Sequence, residues 1–370
     1  MKQLVYSLIK KALFQFDPEK THKLAINFLK VIQSMGISRQ MFENQLVISD
    51  KRLEIQCLGL QFQHPIGLAA GFDKNAEVYR ALACLGFGAV EVGSITPQPQ
   101  NGNTKPRLYR LPEDQAIINR MGFNNDGMAK IKKRIENQPK ISVPLGINLG
   151  KNKNTSNEEA HLDYEIGLEH FYLLGDYFVI NISSPNTEHL RNLQFVSSLE
   201  PFLDSIMKKR VTLAGQYNVY KPILLKIAPD LKYEEIDQII HTSIKQGIDG
   251  FIITNTTIMR DHLQSTHKKE RGGLSGKPLA SVSNEVIKRV YRITQGDVPI
   301  IGSGGVFTGR DAYEKMKAGA NLIQLYTGFI YRGPAIVKHI NNEFISLMNQ
   351  DQVASISEIV GIDSSKRFAG

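Results

Sequence analysis

The sequence predicts an α/β fold, a (β/α)₈ TIM barrel with an N-terminal helical hairpin extension. Short apolar runs recur eight times after Pro65, and most of them are separated by stretches with helical periodicity. This is the order of parallel strands joined by crossover helices. The 370 residues accommodate a barrel of about 250 residues and an appendage. An open doubly wound sheet is the alternative, but no G-x-G-x-x-G motif opens a helix after the first strand.

The first forty residues predict the two helices of the hairpin. Apolar side chains between residues 4 and 16 follow one helical stripe, and a second stripe runs from residue 24 to residue 35. Between them, Asp17 and Pro18 are typical of a helix N-cap and a first-turn proline, and Gly36 is expected to cap the C-terminus. The pattern alone leaves two interpretations open: an anchor in a membrane interface, or an ordinary helix pair packed on the core.

The positive charge is concentrated in the same segment. The chain has a net charge of +9, and residues 1–40 hold seven basic and two acidic residues, which leaves +5 in about a tenth of the length. The remainder is close to balanced, which argues against a nucleic-acid groove across the main domain. No apolar run reaches the roughly 18 residues of a membrane-spanning helix, and the N-terminus lacks the features of a secretory signal.

Three further features complete the expected organisation. Residues 53–63 alternate around Leu58 and Gly59 and predict a β-hairpin at one end of the barrel. Cys57 and Cys84 have no metal-ligand spacing, so we expect reduced thiols and no metal site. The organisation is therefore an amphipathic helical segment over residues 1–40, a barrel over 41–350 and a polar, partly disordered tail over 351–370. The eight strands are expected at residues 66–69, 89–94, 143–149, 177–182, 223–227, 250–254, 300–302 and 322–326.

Polar side chains gather at the C-terminal ends of these strands, where barrel enzymes place their reactive groups. Five of the ends carry Asn or Lys where an apolar core would hold Val or Ile. Amides are costly to bury without partners, so a ring of them at one mouth favours a planar ligand with many donors and acceptors. The end segments are residues 70–75, 93–96, 146–148, 181–187, 226–229, 254–257, 302–305 and 326–328.

Several residues at these strand ends have both a functional and a purely structural interpretation. The glycines of residues 302–305 favour phosphate binding on backbone N–H groups, although a plain turn would look the same. Lys226 interrupts an apolar strand and is expected to point inward instead of snorkelling at the surface. Lys74 beside Asp73 fits a surface ion pair and a site residue equally well. Ser184 alone carries no signal, because serine before proline is common in turns.

Taken together, the strand ends resemble the dihydroorotate dehydrogenase family, and the resemblance runs from about residue 4 to residue 348. The matching segments are long and ordered along the chain, so chance agreement is negligible. They are residues 67–75 (GLAAGFDKN), 119–125 (NRMGFNN), 146–152 (GINLGKN), 181–187 (NISSPNT) and 272–276 (GGLSG). The early residues 11–14 (KALF) and 17–19 (DPE) are similar to the N-terminal extension of the quinone-using class.

The resemblance implies a reaction. (S)-dihydroorotate is oxidised to orotate in the fourth step of de novo pyrimidine synthesis, FMN accepts the hydride from C6, and a membrane quinone is the final electron acceptor. The base near C5 is a serine in this class and aligns with Ser184. The soluble classes have a cysteine there, and none lies near this position. A serine hydroxyl works as a base only if its own proton moves on through water or a neighbouring hydroxyl.

The same resemblance implies the other site residues. Lys226 is the cation expected near negative charge on the reduced flavin, and Ser94 stands where threonine is usual, which keeps the hydroxyl. The substrate-binding set is Lys74, Asn119, Arg120, Met121, Gly122, Phe123, Asn181, Asn186, Asn255 and Thr256. The FMN-binding set is Ala70, Gly71, Phe72, Asp73, Lys74, Ser94, Asn148, Asn181, Lys226, Thr254, Gly276, Gly305, Tyr326 and Thr327.

The resemblance also favours the anchor interpretation of residues 1–40. An apolar helix pair at the bilayer surface would guide a lipophilic quinone to the flavin, with lysines meeting anionic headgroups at about 1 kcal/mol each. We therefore expect a monomer, peripheral at the cytoplasmic face of a bacterial inner membrane, without a nucleic-acid partner. Two other functions stay open: a different flavin barrel enzyme that uses NAD(P)H, such as a dihydropyrimidine or enoate reductase, and a non-enzymatic membrane-associated binding protein without FMN affinity.

Overall fold

The computed structural model describes residues 2–365. The strands, in chain order, are β1 (Ile55–Cys57), β2 (Leu60–Phe62), β3 (Ile66–Leu68), β4 (Ala89–Ile95), β5 (Leu108–Leu111), β6 (Ala116–Asn119), β7 (Leu145–Leu149), β8 (Tyr177–Asn181), β9 (Ile223–Ile227), β10 (Gly250–Ile253), β11 (Gly273–Gly276), β12 (Ile300–Ser303) and β13 (Leu322–Leu325).

The helices surround these strands. In chain order they are α1 (Lys2–Leu13), α2 (Pro18–Ser34), α3 (Gly36–Leu46), α4 (Tyr79–Cys84), α5 (Met128–Glu136), α6 (Ala160–Phe171), α7 (Val196–Tyr217), α8 (Tyr233–Lys245), α9 (Ala280–Thr294), α10 (Gly309–Lys317), α11 (Thr327–Arg332), α12 (Ile336–Asp351) and α13 (Ile362–Ser365). Short 3₁₀ helices lie at Lys51–Leu53, Leu190–Gln194, Thr266–Lys269, Lys277–Leu279 and Ile356–Ile359.

Eight parallel strands close the barrel, as the sequence predicted. Their order is β3, β4, β7, β8, β9, β10, β12 and β13, and β13 pairs back onto β3. Strands such as β8 and β9 are buried along their whole length, because helices cover the outer face and side chains fill the interior. Amphipathic helices supply the outer layer. In α8, for example, Ile236, Ile239 and Ile240 are buried at helical spacing.

The sequence analysis missed a three-stranded antiparallel sheet, which we call the lid sheet, formed by β5, β6 and β11. Strands β5 and β6 belong to the connection that follows β4, and β11 belongs to the connection that follows β10. Register pairs Gly273 with Asn119 and Gly276 with Ala116. Its strands have four residues each, which is too short for a period to stand out. The lid sheet therefore brings two distant loops together at the barrel mouth.

The predicted hairpin at the opposite end of the barrel is present as β1 and β2. Leu58 and Gly59 both have positive φ, 55° and 70°, as a two-residue type I′ turn requires. Phe62 is buried and lies beside Gly67, Ala89 and Tyr177 near the N-terminal ends of their strands. The hairpin thus closes the end of the barrel opposite the mouth.

The helical extension is present, with one difference from the expectation. Asp17 caps α2, because its carboxylate accepts the backbone N–H of Lys20 at 2.8 Å, and Pro18 is the first helical residue. Gly36 is not a C-cap. Met35 takes an extended conformation that ends α2, and the chain restarts as a third helix at Gly36. Among residues 2–365, no helix is long and apolar enough to span a bilayer.

The C-terminal segment packs on the barrel over part of its length. Residues 356–359 form a 3₁₀ helix in which Ile356 and Ile359 are buried. The hydroxyl of Ser364 donates to the carbonyl of Ala318 at 2.8 Å. The segment expected as a polar tail therefore contributes apolar side chains to the core at Ile356 and Ile359, and residues 366–370 lie outside the described part.

Candidate active site

A pocket opens at the C-terminal mouth of the barrel, between the strand ends and the lid sheet. Most residues predicted from separate motifs lie together in its wall. They are Ala70, Gly71, Lys74, Ser94, Asn119, Met121, Gly122, Phe123, Asn181, Ser184, Asn186, Lys226, Thr254, Asn255, Thr256, Gly276, Gly305, Tyr326 and Thr327. Since Asn119 ends β6 and Gly276 ends β11, the lid sheet completes a wall that the barrel alone would leave open.

Four of the predicted residues do not line this pocket. Arg120 turns away from it, because its guanidinium pairs with Glu270 at 2.7 Å and stacks over the ring of Tyr109 at 4.8 Å. Asp73 is buried and accepts the backbone N–H groups of Glu77 and Val78 at 2.8 and 2.7 Å, so its carboxylate holds the loop before α4.

The other two sit at the border of the pocket. Phe72 faces a second cavity, described below, and its ring lies 5.0 Å from that of Phe329. Asn148 is fully buried, does not line the pocket, and contacts the lining residues Ser94 and Asn181 by hydrogen bonds. The structure thus brings the predicted segments together, and within each segment only some of the predicted side chains line the pocket.

Asn148, Asn181 and Asn255 form a connected network across the barrel, and Asn119 and Asn186 form a separate pair. The Asn181 amide donates to Ser94 Oγ at 2.9 Å and to Asn148 Oδ1 at 3.2 Å. Asn255 donates to Asn181 Oδ1 at 3.1 Å, and Asn186 donates to Asn119 Oδ1 at 3.2 Å. Each amide fixes the orientation of the next, so the donors and acceptors that face the pocket are set before a ligand arrives.

The network ends on a carboxylate that the sequence analysis did not assign. Glu91 is fully buried in β4 and accepts Asn148 Nδ2 at 2.8 Å and Gln324 Nε2 at 2.6 Å. The Tyr177 hydroxyl also donates to it at 3.4 Å. Because Gly146 has no side chain, the Tyr177 ring has room beside β7. The signal was available, since a glutamate within the run AVEVG is a charge inside an apolar strand.

Ser184 lies in the pocket wall and is nearly buried. Its Oγ accepts the backbone N–H of Asn186 at 3.3 Å, which fixes the side chain by a local turn. Within residues 2–365 no hydrogen-bond acceptor is assigned to the Ser184 hydroxyl proton. The oxygen is therefore held in position while its own proton can be donated in a hydrogen bond to a ligand or to solvent.

Two lysines give the pocket positive charge. Burial lowers the pKa of Lys74 to about 8, and its ammonium donates to the carbonyl of Gly71 at 2.8 Å. Burial also lowers the pKa of Lys226, against the opposing effect of Glu91, and among the described residues its ammonium has no hydrogen-bond acceptor. No carboxylate of the described chain lines the pocket. An anionic ligand is therefore favoured.

A second cavity, which we call the apolar cavity, has a volume of about 580 Å³ and lies between the barrel and helices α1 to α3. Tyr326 lines both this cavity and the mouth pocket. The apolar cavity has few polar groups in its lining. Arg110 lies 4.5 Å from the ring centroid of Phe14, and burial lowers the pKa of His22 to about 3, so its imidazole is neutral. The cavity suits a lipophilic molecule with a small polar end.

Comparisons with known proteins agree with this architecture. A sequence profile of the dihydroorotate dehydrogenase family matches residues 52–348. The dihydroorotate dehydrogenase (quinone) of Christiangramia forsetii is 48% identical over 92% of this chain and 98% of its own. The mitochondrial dihydroorotate dehydrogenase (quinone) of Mus musculus is 44% identical over 94% of this chain and 87% of its own.

Solved structures give the same result. The crystal structure of DHODH from Eimeria tenella in complex with ferulenol superimposes with a TM-score of 0.86 at 37% identity, and it covers 94% of this chain and 96% of its own. Fold, sequence profile and relatives along nearly the whole length agree, and the chain therefore belongs to the dihydroorotate dehydrogenase family, a family of oxidoreductases.

Proposed function

We propose that this protein oxidises (S)-dihydroorotate to orotate in pyrimidine biosynthesis, with FMN as hydride acceptor and a membrane quinone as final electron acceptor. One observation carries the proposal: a serine hydroxyl, a network of amides and two lysines line one carboxylate-free pocket that shares Tyr326 with an apolar cavity. A polar, anionic substrate and a lipophilic oxidant thereby have separate compartments that meet at one side chain.

Dihydroorotate is a cyclic anion whose ring carries alternating N–H and carbonyl groups. Asn119, Asn181, Asn186 and Asn255 offer both donors and acceptors in the pocket wall, which suits the edges of such a ring. Lys74 meets the carboxylate, because a buried cation without a carboxylate in the lining attracts an anionic group strongly. The pre-oriented amides lower the cost of ordering when the substrate binds.

Ser184 is the proposed base. Its Oγ takes the proton from C5 while its own proton passes to water or a neighbouring hydroxyl, since an alkoxide at neutral pH is out of reach for an unassisted serine. The hydrogen bond from Asn186 N at 3.3 Å stabilises negative charge on Oγ as the proton leaves. The Ser184 hydroxyl thus passes a proton on as it accepts another, and it does not accumulate as an alkoxide.

FMN fits the remaining part of the pocket. Two polar atoms of the lining, Thr254 Oγ1 and Gln324 Oε1, are buried without a hydrogen-bond partner among residues 2–365, and the Lys226 ammonium is likewise unmatched. A polar ring system that bonds these atoms would remove the cost of leaving them unpaired. Bound FMN supplies the acceptor for the hydride from C6. Lys226 would hold negative charge near the ring, and backbone N–H groups of Gly304 and Gly305 would hold the phosphate.

The helical extension is proposed as the membrane contact and the quinone entrance. Helix α2 is apolar on two sides: Ile26, Leu29 and Ile32 are buried on the protein, while Phe28 and Val31 are 62% and 55% exposed. Leu8, Phe16 and Leu24 continue the exposed face. Such a face, with lysines beside it, is typical of a helix in a membrane interface. We place the protein peripherally, at the cytoplasmic face of a bacterial inner membrane, as a monomer.

The test is anaerobic mixing of the FMN-loaded protein with dihydroorotate while the flavin absorbance is followed. We expect bleaching by dihydroorotate and recovery on addition of a long-chain quinone, but no recovery with fumarate. Bleaching by NAD(P)H and not by dihydroorotate would instead indicate a different flavin reductase. Protein that takes up no FMN from solution would overturn the proposal altogether.

A further inference from the structure

Glu19, at the start of α2, joins the helical extension to the substrate side of the barrel. Its carboxylate forms a two-point ion pair with Arg107, with Nη2–Oε1 at 2.7 Å and Nε–Oε2 at 3.1 Å. Lys105 adds a third contact at 3.3 Å. Arg107 is only 6% exposed, and paired, partly desolvated contacts of this geometry are among the stronger charge interactions in proteins.

Arg107 in turn holds the chain segment of residues 101–107, which we call the substrate loop. Its remaining terminal nitrogen donates to the carbonyls of Asn101 and Asn103 at 2.6 and 2.9 Å. Asn103 then contacts the pocket wall: its amide donates to the carbonyl of Asn186 at 2.9 Å, and its backbone N–H donates to the carbonyl of Met121 at 3.0 Å. A continuous path of hydrogen bonds therefore runs from α2 to two lining residues.

The same two charges act on Lys74. The charged groups that act on its ammonium are Glu19 of α2, Arg107 of the substrate loop and Asp73 beside it, and the neutral His22 ring of α2 also lies near it. Burial lowers the pKa of Lys74, Glu19 and Asp73 raise it, and Arg107 lowers it. Asp73 is committed to backbone N–H groups, so Glu19 is the carboxylate whose removal changes the charge around Lys74 most directly.

We propose that Glu19 is a positioning residue for dihydroorotate oxidation: through Arg107 it fixes the substrate loop against the pocket wall, and it serves as the counter-charge of Lys74. This inference rests on the proposed function. The extension would then serve both compartments, since the helix that carries the exposed apolar face also carries the carboxylate that prepares the polar pocket.

The proposal predicts how dihydroorotate binding depends on pH and in which direction each variant shifts that dependence. A substrate carboxylate needs Lys74 in its charged form, so dihydroorotate binding weakens as pH rises through the Lys74 pKa, about 8 in this structure. Glu19→Gln removes a charge that raises this pKa, so the loss of binding begins at lower pH. Arg107→Met removes a charge that lowers the pKa and moves the loss to higher pH. We take a shift of about one pH unit as the expected size, which is the lower end of the effect of a nearby charge on a pKa.

The experiment is anaerobic stopped-flow reduction of the flavin by dihydroorotate between pH 6 and 10, which needs no quinone or membrane. At pH values above the wild-type transition, Glu19→Gln should weaken apparent dihydroorotate affinity about tenfold for a one-unit shift. Glu19→Asp keeps the charge, so its transition should stay near that of the wild type even if the shorter side chain loosens the substrate loop. Lys30→Met is the matched control, because it breaks another ion pair of α2 with the barrel, Lys30 to Glu77 at 2.5 Å, and neither of these groups is among the charges that act on Lys74.

The outcomes separate the two proposals. If wild-type flavin is not reduced by dihydroorotate, the proposed function fails. If it is reduced but Glu19→Gln and Arg107→Met leave the transition unmoved, or move it in the same direction, the role of Glu19 is refuted and the function stands. A Lys30→Met shift as large as that of Glu19→Gln also refutes it, since loosening of α2 would then explain the effect. Should Glu19→Gln fail to fold, the opposite shift in Arg107→Met remains decisive.

Discussion

Replacing Glu91 by glutamine tests whether the amide network depends on its buried carboxylate. The two carboxylate oxygens each accept an amide donor, from Asn148 at 2.8 Å and from Gln324 at 2.6 Å. Glutamine has one acceptor oxygen, so one of these donors would face the new NH₂ group. A hydrogen bond to a charged group contributes about 1.5–3 kcal/mol, and we expect Glu91→Gln to lower the free energy of unfolding by about this amount.

The same change should reach the ligand pocket. If the Asn148 amide turns to satisfy the glutamine, its Oδ1 no longer faces Ser94 and Asn181. The buried Lys226 also loses the charge that raises its pKa, so its charged form becomes less favourable. If FMN loses the free energy of about one hydrogen bond because the amides are no longer oriented toward it, its affinity falls roughly tenfold.

Two measurements check this prediction. Urea unfolding of the FMN-free protein, followed by circular dichroism, gives the stability change, and quenching of FMN fluorescence gives the affinity. Asp163→Asn is the control, because Asp163 is also buried and accepts Asn152 N at 2.7 Å and Thr155 Oγ1 at 2.9 Å outside the pocket. It should cost stability without changing FMN affinity. Wild-type stability and wild-type FMN affinity in Glu91→Gln would refute the assigned role.

Three further outcomes are expected. Ser184→Ala should keep FMN bound but slow flavin reduction by dihydroorotate about 10²–10⁴-fold at neutral pH, and near-normal rates in stopped flow would remove Ser184 as the base. Deletion of residues 1–40 should abolish vesicle binding and long-chain quinone turnover while circular dichroism shows a folded barrel; efficient quinone reduction by the truncated form would contradict the entrance role. Phe16→Glu with Val31→Glu, both more than half exposed, should weaken sedimentation with anionic vesicles but leave reduction by dihydroorotate unchanged, and undiminished vesicle binding would exclude this face as the membrane contact.

The barrel could be predicted from the sequence because its parallel strands are mostly apolar runs followed or preceded by turn residues, such as residues 223–227 with Pro222 before them and Pro229 shortly after. The lid sheet could not, because its partners are far apart in sequence and β11 is flanked by glycines that read as a turn. Gly36 illustrates a local limit: a glycine after an apolar stripe fits a helix end, yet here it begins α3.

Within the site, sequence motifs located segments better than side chains. Asn181 and Lys226 are adjacent partners on β8 and β9 and both face the pocket, as expected from a polar residue in an apolar strand. The position of the Arg120 side chain outside the pocket could not be predicted, because nothing in its motif shows that its guanidinium pairs with Glu270, 150 residues later. Glu91 and Gln324 were missed for a different reason. They lie within their strands and not at the C-terminal ends, which were the only positions used to predict the site.

The lid sheet also bears on how the protein acquires its activity during synthesis. Strand β6 can pair with β11 only after Gly276, the partner of Ala116, has been synthesised. Because the contact joins residues well over a hundred positions apart, this pairing forms late. A ribosome-bound fragment that ends before β11 would hold the earlier strands and all five asparagines of the site, yet lack one wall of the pocket. Competence to hold ligand should therefore appear abruptly, near the end of translation, instead of growing with chain length.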